Sequence, residues 1–480
     1  MLPFFPLVKP MSLDPPPSRL TRLTVRARRL ARRKLRQMRR LSRKSVQIGL
    51  MLGGAALVAL VSMGFALMAD KALEWNREWT HAHGLWALLV LPCALAALRW
   101  LTLRVAPQAA GSGIPQVIAA LSLPPGAAQS SLVSLRQTLW KIPLTFCAML
   151  AGASVGREGP SVQVGAAVML AWGNLCRRLG LRMRGFHSQE LIAAGAAGGL
   201  AAAFNAPLAG VIFAIEELGR GAALRWQRLV LLGVLACGFM VVALAGNNPY
   251  FGVFGAGSLS QNMVWWVAAC GVLNGCLGGI FARLLGKGLP GVLPLRWRDT
   301  VRRHPVGAAF ALGLVVALIG VASSGATYGT GYETAAVLLG SDGQAPTGFG
   351  LSKLAATVAS YWAGIPGGIF TPALTTGAGL GHQLWLWTGG TVDGRVLVLI
   401  SMAAFLAAAT QAPLTASVVV MEMTGSQPML FWLLAGALLA SVVSRQFCPQ
   451  PFYHFAAGRF RRAALQEAAR PERPPDLSRQ

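Results

Sequence analysis

Carboxylates sit where the chain is otherwise apolar. In GASVGREGPSVQVG, Gly152 to Gly165, Glu158 follows Arg157 and is fenced by Gly156, Gly159 and Pro160; in FNAPLAGVIFAIEE, Phe204 to Glu217, a pair of acids closes an apolar run. A carboxylate in such surroundings can hold and pass a proton, or, ionised, can occupy a place that another anion uses. Ionisable groups within a membrane cost about 2.5–3.5 kcal/mol each on insertion scales and are by default functional. Lys141, Arg157, Glu216 and Glu422 complete the set.

The glycines and prolines around these groups say how they are held. In GREGP and in GGIFTP, Gly367 to Pro372, glycine precedes a proline that opens an apolar stretch, and GSGIPQ, Gly111 to Gln116, has the same grammar. Proline suits the first turn of a helix, so each motif reads as a helix N-terminus set inside the membrane. A helix start carries unpaired N–H groups and about half a positive charge, and it binds anions. Several starts aimed at one spot make an anion site that needs no fixed lysine and lets the ion leave. Glu158 beside such a site competes with the anion when ionised and lets go when protonated, which couples anion to proton. Glu217 adjoins the basic stretch Arg220 to Arg228 and is placed to take up protons from the cytoplasm. Lys141 supplies buried positive potential without touching the ion. Plainer roles compete: an Arg157–Glu158 ion pair, although neighbours on a helix rarely point the same way; a salt bridge from Glu217 to the following arginines; and structural roles for Glu216 and Glu422.

These motifs recur. Gly156, Pro160, Gly165 and Ala166 have the spacing of Gly368, Pro372, Gly377 and Ala378, while Ala206, Pro207, Leu208 and Glu216 match Ala412, Pro413, Leu414 and Glu422 in TQAPLTASVVVMEM. Phe370 stands where Glu158 stands in the first copy. Two ordered matches mark a duplication, typical of transporters whose substrate sits at the midplane between discontinuous helices of both halves. Residue identity alone leaves open whether the repeat is parallel or inverted.

Composition fixes the solvent. Of 480 residues, 54% are hydrophobic and only 12% charged, with mean hydropathy +0.53; soluble domains carry about a quarter charged residues. Apolar runs recur at Ile48–Met68, Leu85–Leu98, Leu191–Ile215, Leu229–Ala245, Val264–Leu285, Ala308–Ala322, Val396–Ala409 and Leu430–Val443. Shorter ones such as Ser161–Leu175 and Gly367–Leu384 fall below the ~20 residues of a simple span. The expected class is an all-α polytopic membrane protein with many tilted and discontinuous helices. The formal charge of +27 is concentrated in basic blocks, Thr21–Ser45 above all. Such blocks are retained in the cytoplasm and touch anionic lipid, a reading preferred over nucleic-acid binding. With Arg459–Arg462 on the same side, the number of crossings is even. The 45 residues before the first run do not suit a secretory signal, although an Arg-rich organellar presequence shares their composition. MLPFFPLVKP and Pro15–Pro17 read as disordered. Seven cysteines and six histidines are scattered without metal-ligand or disulfide spacing, and no nucleophile, base or cofactor motif calls for an enzyme.

GSGIP, GREGP, FNAPLAG ending in EE, GGIFTP and a late PFY, Pro451 to Tyr453, occur in the order found in the CLC family of chloride channels and chloride/proton antiporters, which the chain resembles over about Ser45 to Arg462. The resemblance implies an inverted repeat and a homodimer with one anion pathway per subunit. It implies that Ser112 and Tyr453 offer hydroxyls to a central chloride, that the N–H groups of Ile369 and Phe370 join them, and that those around Glu158 and Gly159 form an outer site. Glu158 resembles the external gating glutamate and Glu217 the internal proton-transfer glutamate of the antiporters. Serine at 112, where nitrate-preferring relatives have proline, favours chloride. Gln116 and Ile118 depart from the carboxylate-bearing form common in bacterial antiporters. The tail PERPPDLSRQ leaves no room for paired nucleotide-binding modules, and translation from Met11 fits the sequence as well as from Met1. The organisation expected is a basic cytoplasmic extension at 1–45, membrane repeats at 46–250 and 251–457, and a cytoplasmic polar tail at 458–480, in a bacterial inner membrane. The function expected is chloride/proton antiport; a passive chloride channel is the alternative within the family, and a membrane-embedded enzyme or a structural component lies outside it.

Overall fold

The computed structural model describes residues 19–181, 187–220, 228–254, 262–340, 345–389 and 392–469, with side chains from residue 45 onward except at 228 and 229. The sequences expected to be disordered near the N-terminus, the alternative start Met11, most of the Arg220–Arg228 stretch and PERPPDLSRQ lie outside these residues. The chain divides into two compact units, Met1–Leu50 and Met51–Gln480. In the first the backbone is helical from Arg19. The regular secondary structure of the second is all helix among its described residues, apart from two isolated backbone bridges.

Five described helices are long and apolar enough to cross a membrane: Ser45–Ala82, Gly84–Val105, Met263–Val292, Pro305–Ala322 and Gln427–Phe447. The remaining apolar runs form shorter pieces. Leu191–Ile215, which reads as one run in sequence, is broken at Asn205 into Ser188–Phe204 and a helix starting at Pro207. Asn205 has φ +52°, and its counterpart Gln411, with φ +58°, separates Gly394–Thr410 from Pro413–Thr424 in the same way. A left-handed residue followed by a proline-led helix reverses the chain within the apolar layer. Hydropathy counts the residues but does not see the corner.

Small residues let these pieces approach closely. The Glu158–Arg178 helix packs on Ser188–Phe204, where Gly165 and Gly195 each face the other's carbonyl so closely that a Cβ on either would collide with it. Its counterpart, Phe370–Trp387, packs on Gly394–Thr410, where a Cβ at Gly381 would lie 2.5 Å from the Leu397 carbonyl oxygen. In an apolar solvent, where burial drives no association, such close packing is what holds helices together.

The two halves meet through equivalent residues. Gly156 N–H donates to the Gly368 carbonyl at 2.7 Å and Gly368 N–H to the Gly156 carbonyl at 2.6 Å. The helices that begin there, Glu158–Arg178 and Phe370–Trp387, make few contacts with each other and pack instead on Ser188–Phe204 and Gly394–Thr410. The acids repeat the exchange. Glu216 accepts from the N–H groups of Leu414 and Thr415 at 3.1 and 2.6 Å, and Glu422 accepts from those of Leu208 and Ala209 at 3.1 and 2.6 Å. Each caps the helix start of the other half, which is the structural role expected of them.

Candidate functional site

Three helix starts are stitched together at the centre of the second unit. Beyond the Gly156–Gly368 pair, Gly111 N–H donates to the Ile365 carbonyl at 3.0 Å and Gly367 N–H to the Gly111 carbonyl at 3.2 Å. The motifs GSGIP, GREGP and GGIFTP are thereby fixed side by side. Gly113 takes φ +107°, and a Cβ there would sit 2.7 Å from the Gly159 carbonyl oxygen, so only glycine permits the approach. Pro115, Pro160 and Pro372 fall in the first turns of Ile114–Leu121, Glu158–Arg178 and Phe370–Trp387, as the sequence predicts. At the latter two starts proline takes the third position, so the N–H groups of the two residues before it, Glu158 and Gly159 or Phe370 and Thr371, are those left without an intrahelical acceptor.

Into this junction point polar side chains that lack partners. Ser112 Oγ, Glu158 Oε1, Thr371 Oγ1 and Tyr453 Oη are buried and, among the described residues, make no hydrogen bond of normal geometry, although Tyr453 stands close enough to Ser112, and Glu158 to Thr371, for the pairs to interact. Buried polar atoms are nearly always paired, so a cluster of unpaired ones marks a place prepared for something else. Tyr453 arrives on the last described helix, Phe452–Ala468, which packs on Ile114–Leu121 and brings the phenol within electrostatic reach of Ser112. Glu158 Oε2 is 3.5 Å from the Thr371 N–H, at the start of the helix from the other half. The carboxylate thus stands over a positive helix end, the position proper to an anion. Phe370, the repeat counterpart of Glu158, packs its ring against Phe204 and Phe213 at centroid distances of 5.6 and 6.5 Å. Ile369 is buried at the N-cap of the same helix.

Among the described residues the competing ion pairs are not formed. Arg157 turns away from Glu158: its guanidinium donates to Asp70 at 2.5 Å and to the Ala66 carbonyl at 2.6 Å, and lies over the Tyr250 ring, 5.4 Å from its centroid. Asp70 in turn lines a cavity of about 870 Å³ with Arg77, Tyr332 and Glu333. Glu217 is buried with neither carboxylate oxygen hydrogen-bonded. Among the described residues its one ionic neighbour is His454, Nε2 to Oε1 3.5 Å, while Arg220 is spent on the Gln411 carbonyl at 2.6 Å. The segment Ala214–Leu218 forms a π-helical turn, closed by Gly219 N–H to the Ala214 carbonyl at 3.0 Å. From this turn Glu216 reaches the other half and Glu217 lies in the interior; such turns recur at functional sites.

Lys141 is fully buried and donates to Gln163 Oε1 at 2.8 Å, on the helix that Glu158 opens. Its repeat counterpart Lys353, not singled out from sequence, is equally buried and donates to the carbonyls of Thr327 and Gly329 at 2.9 and 2.7 Å. The spacing held that signal, because 353 − 141 equals 368 − 156. Thr371 lies within GGIFTP and His454 directly follows PFY, motifs read for other residues. Gln116 accepts from Gly113 N–H at 3.1 Å and donates to the Ala110 carbonyl at 2.7 Å, so an amide shapes the turn where a carboxylate is common. Among the described residues no three His, Cys, Asp or Glu side chains cluster as metal ligands would.

The profile of the voltage gated chloride channel family matches residues 93–445. The H(+)/Cl(−) exchange transporter ClcA of Salmonella typhimurium is 28% identical over 457 residues, covering 87% of this chain and 90% of its own. That of Salmonella arizonae is 29% identical over 437 residues, covering 83% and 85%. Among solved structures, a slow cyanobacterial Cl−/H+ antiporter superposes with TM-score 0.71 at 24% identity over 88% of this chain and 99% of its own, and a CLC-type fluoride/proton antiporter with TM-score 0.67 at 23% identity over 84% and 96%. With three-quarters of its length inside the family profile and its fold shared with these transporters, the chain is a multi-pass membrane protein that belongs to the voltage-gated chloride channel family.

Proposed function

We propose that this protein exchanges chloride for protons across the membrane. Chloride passes between Ser112 and Tyr453 and over the helix starts at Ile369–Phe370 and Glu158–Gly159. Glu158 alternates between standing in the anion's place and carrying a proton, and Glu217 exchanges that proton with the cytoplasm. One observation carries the reading: two carboxylates of the same half lie buried with unpartnered oxygens, one of them over the helix start of the other half. The ClcA relatives, named as H(+)/Cl(−) exchangers, support it. An ionised Glu158 and chloride compete for one positive spot, whereas a protonated Glu158 vacates it, so each proton bound admits an anion.

The same reading includes a homodimer with one pathway per subunit, two membrane repeats at 46–250 and 251–457, and contact with anionic lipid. It sets the protein in a bacterial inner membrane with basic segments 1–45 and 458–480 in the cytoplasm, supported by the arginines at 459, 461 and 462. The test is proton and chloride flux from purified protein in liposomes. A chloride gradient is expected to drive protons uphill, and Glu158→Gln to abolish proton movement while chloride continues. Chloride flux without coupled protons in the unaltered protein means a passive channel instead.

A further inference from the structure

We propose that His454 is the relay that carries protons between water and Glu217, an inference that rests on the exchange reading above. Glu217 is 1% exposed and has no hydrogen bond to either carboxylate oxygen. A group so enclosed exchanges protons only through a neighbour that reaches water. His454 fits that need. Its Nε2 lies 3.5 Å from Glu217 Oε1 and 3.2 Å from the Glu217 backbone carbonyl oxygen, while 23% of its side chain stays exposed.

The chain arranges this economically. His454 directly follows Tyr453 at the start of Phe452–Ala468, and neighbouring residues on a helix point about 100° apart. The phenol therefore faces Ser112 while the imidazole faces Glu217. The helix then runs on to Arg459, Arg461 and Arg462, so the histidine opens toward the basic side of the protein. The charges acting on the pair are Glu216 and Arg220, from the turn that carries Glu217, and the phenol of Tyr453 adjoins the carboxylate. The helices Ile114–Leu121 and Ala127–Leu132, packed against Phe452–Ala468, bring no ionisable side chain; Met263–Val292 brings Arg283 and Lys287.

The step moves one proton and no electrons. At rest the Nε2–H bonds the Glu217 carbonyl. A proton from water binds Nδ1, the Nε2–H transfers to Glu217 Oε1, and the ring is left neutral with its proton on Nδ1. Exchange with water restores the first tautomer.

Fluxes in liposomes test this. His454→Gln keeps an N–H for the Glu217 carbonyl but cannot relay. It is expected to slow coupled proton flux at least about tenfold, most steeply at high pH where protons are scarce, with imidazole in the buffer restoring it. Added to Glu158→Gln, in which chloride moves alone, it is expected to leave chloride flux unchanged. Full proton flux in His454→Gln, no rescue by imidazole, or a fall in chloride flux in the double variant would each overturn the relay while leaving exchange intact. An unaltered protein that moves no protons overturns both.

Discussion

On the exchange reading proposed above, Gly159→Ala puts the anion pathway under a purely steric load. Gly159 is the second residue of its helix, and a Cβ there would collide with the Ser112 hydroxyl and sit 2.7 Å from the Ser112 carbonyl oxygen. Ordinary contact begins at 3.4 Å, so the carbonyl must recede by 3.4 − 2.7 = 0.7 Å. A serine hydroxyl can rotate aside, but a carbonyl moves only with its backbone. That backbone is pinned by the bonds of Gly111 to Ile365 and Gly367 and by the Gly113–Gly159 contact. Overpacking of this kind costs about 1–3 kcal/mol. Borne where the anion passes, it slows chloride flux by about fivefold to about 150-fold at 1.4 kcal/mol per factor of ten. The assay is chloride efflux from liposomes, with size-exclusion chromatography to check folding and Gly64→Ala, whose Cβ meets nothing within 4 Å, as control. Ser112→Ala added to Gly159→Ala is expected to recover only part of the flux, because the carbonyl overlap persists. Wild-type flux in Gly159→Ala would refute the placing of the Ser112–Gly159 contact beside the anion path.

Two further outcomes follow from the paired interactions of the halves. Glu216→Ala and Glu422→Ala each remove two N-terminal cap bonds of matching geometry, so each is expected to lower stability by a similar ~0.5–2 kcal/mol, read as thermal unfolding in detergent, with the proton-to-chloride ratio unchanged; a large difference between them would break the symmetry argument. Lys141→Met deletes a buried cation that reaches no anion ligand directly, and is expected to weaken chloride binding measured by titration calorimetry about tenfold while Lys141→Arg retains more of it; unchanged affinity would reduce Lys141 to a packing role.

Much of this arrangement was legible because a few residue types have few uses. Proline after glycine in an apolar run leaves little besides a helix start, and GREGP, GGIFTP and GSGIP all form one. The repeat was legible for the same reason, through glycines at Gly156 and Gly368 that prove to bond each other. Side-chain destinations were not. Nothing in the spacing says that Arg157 leaves Glu158 for Asp70, 87 residues away, because that pairing depends on how the Ser45–Ala82 helix lies against the motif. The corners at Asn205 and Gln411 were hidden too, since one left-handed residue barely alters a hydropathy average.

The hardest feature to foresee is the π-helical turn that carries Glu217. In the second half, Pro413–Thr424 is a regular helix with Glu422 half-buried against the other half and Met423 fully buried beside it. The first half keeps the capping acid at Glu216 but widens the turn at Ala214–Leu218, and the next residue, Glu217, goes inward. The same local sequence logic thus gives a cap in both halves and an interior acid in only one. Glu158 and Phe370 differ in the same sense, an ionisable group in the first half against an apolar one in the second. On the exchange reading proposed above, the anion site draws on helix starts from both halves, which the symmetry supplies. Proton handling on that reading draws on Glu158 and Glu217, where the symmetry is broken, and both breaks fall in the first half.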